Sequence, residues 1–321
     1  MTELTLSQFA GRAAALRAEI AKAFRGQTEA VDHLLISTFA RGHCLLEGPP
    51  GTAKTLLARS FAAALSLSFG RIQFTPDLMP GDVLGANLFE FATSEFRLVK
   101  GPVFTDILLA DEINRAPPKT QAALLQAMNE RVVTIDGVDH MLGAHFQVVA
   151  TQNPIEQQGT YPLPEAQNDR FLFKILLDYP DRDVELDILQ RHAAQPLDYG
   201  VRTQDISPAM TAEELNAARA LIDSIRLDEK ILTYILDLVR ATREDAEIRE
   251  GASTRAADAI AAAVRAAAAL DGRDYAIPDD VQRLILPALR HRILLGPTAE
   301  IEGRTPDDVL KGVIARIEAP R

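Results

Sequence analysis

Residues 48–55 read Gly48-Pro49-Pro50-Gly51-Thr52-Ala53-Lys54-Thr55, preceded by the apolar run Cys44-Leu45-Leu46 and followed by the helical pattern Leu56-Leu57-Ala58-Arg59-Ser60-Phe61. A glycine-bearing loop between a strand and a helix turns backbone N–H groups inward and adds the positive end of the helix dipole, so it cradles phosphate oxygens. That context demands a β-loop-α unit, hence an α/β core. Gly48 and Gly51 let the loop wrap, and Pro49, Pro50, Thr52, Ala53 and Leu56 complete the cradle. Lys54 is placed to reach the β- and γ-phosphates of a nucleotide, and Thr55 to ligate Mg²⁺. Ala53 stands where the general pattern carries glycine; its small size is expected to let the helix begin there.

Downstream comes Ile107-Leu108-Leu109-Ala110-Asp111-Glu112. Two adjacent carboxylates at the end of an apolar strand are costly to bury unless something there needs them, and Mg²⁺ with an attacking water supplies that need. Asp111 is expected to hold the metal's coordination sphere, and Glu112, pointing to the other side of the strand end, to polarise the water. Asn153, in Thr151-Gln152-Asn153-Pro154, follows the apolar Gln147-Val148-Val149-Ala150. A parallel sheet sets such a strand end beside the first, where a side-chain amide can orient the water or touch the γ-phosphate; a simple turn asparagine is the competing reading.

Between His43 and about Tyr179 short apolar strands (44–46, 72–74, 107–110, 147–150 and 173–177) alternate with helical stretches, the pattern of a parallel sheet covered by helices. Two segments break the alternation, Asn87 to Val103 and Val132 to His140, the second with Asp136-Gly137 at its centre, and both read as inserted hairpins. After Pro180 the chain is helical and alanine-rich, with apolar positions at three-and-four spacing in 214–226, 228–245 and 254–270. Thr305-Pro306-Asp307-Asp308 is a helix start. The expected division is a nucleotide-binding core over 1–180 and a helical domain over 181–321.

The chain has 321 residues, 47% of them hydrophobic, and a net charge of −11 with no basic block. A broad grip on nucleic-acid phosphates is therefore disfavoured. The single cysteine, Cys44, cannot form an intramolecular disulfide, no apolar run approaches the roughly 20 residues that span a bilayer, and the histidines lack metal-ligand spacing. A cytoplasmic protein without a membrane-inserted segment is expected.

Beyond the loop and Asp111-Glu112, the chain reads Ile113-Asn114-Arg115-Ala116-Pro117-Pro118-Lys119-Thr120-Gln121, then Ala150-Thr151-Gln152-Asn153-Pro154-Ile155-Glu156-Gln157, Gly159-Thr160-Tyr161-Pro162-Leu163-Pro164-Glu165-Ala166-Gln167 and Asp169-Arg170-Phe171. In these motifs it resembles the MoxR family of AAA+ ATPases over most of residues 26–300. The resemblance implies an αβα core with a five-stranded parallel sheet of order 5-1-4-3-2, a C-terminal helical lid and assembly into hexameric rings. By resemblance Lys54 and Thr55 belong to Walker A, Asp111 and Glu112 to Walker B, and Asn153 to sensor 1. Arg170 looks like the arginine finger supplied to a neighbouring subunit, with Arg115 as a second candidate. Arg255, in Gly251-Ala252-Ser253-Thr254-Arg255, looks like sensor 2, reaching the γ-phosphate of its own subunit. Pro49, Thr52, Asn129, Asn168 and Thr254 depart from the family pattern without removing a catalytic side chain.

The implied activity is Mg²⁺-dependent ATP hydrolysis that shifts the lid and remodels or matures a client protein, often with a partner bearing a von Willebrand factor A domain. Two rivals remain at this level. A nucleotide-dependent DNA motor or loader uses similar hairpins, although Val132 to Leu142 carries Asp136, Asp139 and His140 and no lysine or arginine. A nucleotide-sensing scaffold would bind with little turnover.

Overall fold

The computed structural model of the chain describes residues 4–154, 160–193, 203 and 205–320. Helices α1 (Leu6–Ala23) and α2 (Thr28–Phe39) precede β1 (His43–Glu47), α3 (Lys54–Ala64), β2 (Phe69–Gln73) and α4 (Pro80–Leu84), which leads into a hairpin of β3 (Gly85–Glu90) and β4 (Glu95–Lys100). Next come β5 (Ile107–Asp111), a 3₁₀ turn (Ile113–Arg115), α5 (Pro118–Glu130), the hairpin of β6 (Val132–Ile135) and β7 (Val138–Met141), β8 (Gln147–Gln152), α6 (Glu165–Asn168) and β9 (Phe171–Leu176). The remainder holds α7 (Arg182–Ala193), α8 (Ala212–Asp223), α9 (Glu229–Glu244), β10 (Ile248–Glu250), α10 (Thr254–Leu270), α11 (Pro278–Leu289), β11 (Leu294–Leu295), α12 (Pro297–Ile301) and α13 (Pro306–Arg316).

The central sheet runs β2-β5-β8-β1-β9, and every pairing in it is parallel. Counted within the sheet alone, that is the 5-1-4-3-2 order the resemblance implied. Successive residues of a strand face opposite sides, and here both sides are dry. Cys44, Leu46, Ile107, Leu109 and Val149 enter one apolar cluster, while Leu45, Leu108, Ala110, Val148 and Ala150 enter the other. The second cluster is closed by α5 through Leu124, Leu125 and Met128. The first continues without a break through α1, α2 and α3 into the C-terminal helices, so Phe9, Leu16, Leu35 and Phe61 share one core with Leu238, Ile260, Val264 and Leu284.

Both expected hairpins are present, and the second turns on Asp136 and Gly137 at φ +50° and +81°, as an Asp-Gly hairpin requires. The C-terminal helices start and stop within a few residues of expectation. Helix α13 is capped by Thr305, whose hydroxyl accepts from the Asp308 amide while the Asp308 carboxylate accepts from the Thr305 amide. The amino-terminal helices are elements the sequence analysis does not place, although Thr5 and Gln8 form the same capping box at the start of α1. Among the described residues, no helix is long and apolar enough to cross a membrane.

His43 shows how the layers are tied. Its Nδ1 accepts from the Val148 amide at 2.9 Å and its Nε2 donates to the Met128 carbonyl at 3.1 Å, which joins β1, β8 and α5 and fixes the neutral tautomer. Burial pushes its pKa from 6.5 to about 4, and burial does the same to His33, helped by Arg290 and Arg283. Histidines held neutral stabilise the fold above pH 6.5, and that stability is lost as pH falls towards 4. Urea unfolding at a series of pH values should therefore show stability dropping below pH 6.5 by up to about 1.4 kcal/mol per pH unit for each histidine. Burial holds His291 well below 6.5 as well, so His43→Gln should remove about a third of that slope between pH 6.5 and 5.

Candidate functional site

Strand β1 delivers the glycine loop at its carboxyl end, next to the ends of β5 and β8. At Gly48 the loop passes so close to β9 that any Cβ would lie 2.2 Å from the Leu177 carbonyl oxygen, and Gly51 adopts φ +85°. Lys54 folds back onto the loop, its Nζ donating to the carbonyls of Gly48 (2.6 Å) and Pro49 (2.8 Å) and to the Thr52 hydroxyl at 3.4 Å. Partial burial lowers its pKa, and the nearby Asp111 and Glu112 pull it back up. Ala53, just before α3, has φ +60° and ψ +28°. Glycine serves the usual pattern there through its left-handed backbone, so the expectation that small size suffices is corrected.

The loop residues Pro50, Gly51, Thr52, Ala53, Lys54, Thr55 and Leu56 line one cavity of about 350 Å³ together with Asp111, Glu112, Thr151 and Asn153. Asp111 is buried at the end of β5, where its Oδ1 accepts from the Thr151 hydroxyl at 2.7 Å and its Oδ2 accepts from Arg71 Nη2 at 2.7 Å and Nε at 3.2 Å. Glu112 has a left-handed backbone at φ +56°, held by an amide hydrogen bond to Thr151 Oγ1. Its Oε2 accepts from Gln73 Nε2 and from Arg115 Nη1, both at 2.8 Å. Both carboxylates face the same cavity, and Arg115, a candidate for crossing a subunit boundary, is engaged within its own chain. A hydroxyl and a carboxylate are hard oxygen donors, so Thr55 and Asp111, which line the same cavity, fit Mg²⁺. Among the described residues no cluster of three or more His, Cys, Asp or Glu side chains offers a protein-only cage.

The two expected arginines lie elsewhere. Arg170 precedes β9, at the opposite end of the sheet from the loop, which a six-residue strand separates by roughly 20 Å. Its Nη1 donates to the Leu125 carbonyl on α5, and the Asn129 side-chain amide lies against it. Its pKa is lowered by burial and then by the Arg255 charge. Arg255 is in the first turn of α10, whose cap Ser253 donates to Asp169 Oδ2 at 3.0 Å, and Thr254 takes the first helical position without disturbing that start. Asp169 also accepts from the deeply buried Arg292 at 2.7 Å, so its partner is Arg292 and Ser253 rather than Arg170. Arg255 thus begins a helix capped onto Asp169, at the Arg170 end of the sheet and away from its own chain's phosphate cavity, against the expectation that it reaches its own γ-phosphate. Residues 155–159 of the motif fall outside the described residues.

A second cavity, of about 480 Å³, was not singled out from the sequence. Phe24, Gly26, Gln27 and Val31 line it from the α1–α2 junction, and Val184 and Asp187 from α7. Gln27 Nε2 donates to the Asp178 carbonyl at 3.0 Å, and the next residue's hydroxyl, Tyr179 Oη, reaches the Pro50 carbonyl at 3.5 Å, so one short segment joins the rims of both cavities. The available signal was Gly26-Gln27 between two helices with apolar stripes; Gly26, at φ +84°, packs against Val184.

A parallel sheet of this order, a phosphate loop after the strand next to its β9 edge and acidic residues on the next strand but one define an ATPase of the AAA+ class. Residues 43–173 match the family described as "ATPase family associated with various cellular activities (AAA)", and residues 240–313 match the "AAA lid domain". The chain is 39% identical to Chaperone MoxR1 of Mycobacterium tuberculosis over 94% of this chain and 81% of that one, and 30% identical to Protein MoxR of Methylorubrum extorquens over 98% and 97%. The uncharacterized Bacillus subtilis protein YeaC is 42% identical over 89% and 88%. A crystal structure of a Cytophaga hutchinsonii protein, provisionally designated an ATPase, superposes with a TM-score of 0.90 at 37% identity, covering 98% of this chain and 97% of that one. The chain belongs to the MoxR family of AAA+ ATPases.

The left-handed Ala53 is expected to cost about 1 kcal/mol. Ala53→Gly should return a good part of that, read as a higher urea midpoint at unchanged slope, since the loop's hydrogen bonds are unaffected.

Proposed function

We propose that the chain hydrolyses ATP with Mg²⁺ in the cavity between Lys54, Asp111, Glu112 and Asn153, that a second copy completes the site, and that the resulting motion remodels a client protein. The observation that carries this reading is the separation of parts: the phosphate cradle and both carboxylates share one end of the sheet, while Arg170 and Arg255 sit together at the other. Arginines so placed serve a neighbour in a closed ring better than their own chain. The hexamer remains the expected ring size.

The roles follow from the chemistry of each group. The loop amides and the α3 dipole hold the triphosphate, and Lys54 exchanges the Gly48 and Pro49 carbonyls for β- and γ-phosphate oxygens. Thr55 and Asp111 would hold a Mg²⁺ ion, which would supply charge neutralisation beside the phosphates. Glu112, once released from Gln73 and Arg115, orients the attacking water and accepts its proton, and Asn153 donates to the γ-phosphate or that water. The neighbour's Arg170 and Arg255 supply rigid, permanently charged forks to the transferring group. The second cavity, joined to the loop by Asp178 and Tyr179, accommodates the nucleoside. The name Chaperone MoxR1 of a relative at 39% identity supports a client-directed role. A von Willebrand factor A domain partner and a cytoplasmic setting remain part of this proposal on family grounds alone.

Lys54→Ala should abolish nucleotide binding, whereas Glu112→Gln should bind ATP and release no phosphate; unchanged turnover in either variant would overturn the site. Arg170→Ala should lower turnover by about 10³ or more without weakening binding to the same degree. Mixing Arg170→Ala with Glu112→Gln subunits should restore activity at boundaries that join an intact site to an intact finger. Failure of rescue at every ratio would show that Arg170 does not act across subunits.

A further inference from the structure

Strand β2 is at the edge of the sheet, and its residues alternate: Ile72 is buried against β5 while Arg71 and Gln73 share the opposite face. Register places Arg71 beside Leu109 and Gln73 beside Asp111, so the Arg71 side chain runs along the strand towards its carboxyl end. There it grips Asp111 Oδ2 with both Nε and Nη2, and Nη2 also donates to Gln73 Oε1 at 3.0 Å. About half of the Arg71 side chain is exposed, whereas the Asp111 side chain is 12% exposed. The carboxylate that must ligate the metal therefore already holds a cation, on the oxygen that Thr151 leaves open.

We infer that Arg71 is a built-in counter-ion for Asp111 that a divalent cation must displace, and that it thereby sets how strongly nucleotide binding depends on Mg²⁺. This rests on the ATP site proposed above. Two consequences have opposite signs. With no metal present, Arg71 neutralises Asp111 beside the incoming triphosphate and so favours binding of metal-free ATP. With metal present, the same guanidinium must give up a two-point charge-assisted pair and then remains as a nearby positive charge, which disfavours the cation. Loss of Arg71 should weaken the first state and strengthen the second. A side chain that merely packs against β5 would move both in the same direction.

The test measures the affinity of a fluorescent N-methylanthraniloyl ATP by anisotropy, once in EDTA and once in saturating Mg²⁺, for the full chain and for Arg71→Met. The ratio of the EDTA Kd to the Mg²⁺ Kd is expected to grow by roughly threefold to tenfold in Arg71→Met, the size of a partly exposed charge-assisted pair. Arg71→Lys, which keeps the charge and loses the fork, should give a smaller increase, and it carries the test if the methionine variant does not fold. In an Asp111→Asn background, Arg71→Met should leave the ratio unchanged. A ratio that stays constant or shrinks in the Arg71 variants overturns the inference while leaving the ATP site intact. Absence of binding by the wild-type chain in both conditions would instead overturn the ATP site.

Discussion

A carboxylate set at the end of a strand that is dry on both faces must find its counter-charge within reach of its own oxygens. Asp111 satisfies this with the Thr151 hydroxyl from β8 on one side and the Arg71 guanidinium from β2 on the other. Both partners exist because β5 lies between those strands in parallel register, with Ala110 opposite Ala150 and Asp111 opposite Gln73. Remove the sheet order and Asp111 becomes a buried charge without partners, at a cost of several kcal/mol. The same order brings Lys54, Glu112 and Asn153 to the one cavity, so the chemistry is a property of strand neighbours rather than of any single motif.

Direction matters as much as order. In a parallel sheet every strand ends on the same side, so the loop after β1, the carboxylates after β5 and the amide after β8 meet there without further design. Arg170 and Asp169 come before a strand, and so lie on the other side by the same geometry. Asp169 then recruits α10 through Ser253 and the segment after α11 through Arg292, which anchors Arg255 beside Arg170. Chain topology thus sorts the residues into two groups at opposite ends of the sheet.

Much of this was legible in the sequence because its signals are local. The glycine loop, the apolar strand ending in Asp111-Glu112, the Asp136-Gly137 turn and the Thr305-Pro306 helix start each declare themselves within a few residues. Asn153 was readable once the sheet was assumed parallel. What escaped depends on register or on distant packing. Arg71 and Gln73 look like solvated strand residues until the pairing with β5 sets them beside Asp111 and Glu112. By resemblance Arg255 is a sensor for its own chain's γ-phosphate, and nothing nearby in sequence reveals that its helix cap bonds Asp169. Ala53 misled for a different reason: the backbone angle it must adopt is invisible in the letter, and its size was the wrong property to weigh.

The apolar cluster that runs from α1, α2 and α3 into α10 and α11 has a mechanical consequence. A flap hinged to a core can swing at little cost because few dry contacts cross the hinge. Here Ile260, Val264 and Leu284 are seated in the same oil-like interior as Phe9, Leu35 and Phe61, so swinging the helical part alone would tear that interior open.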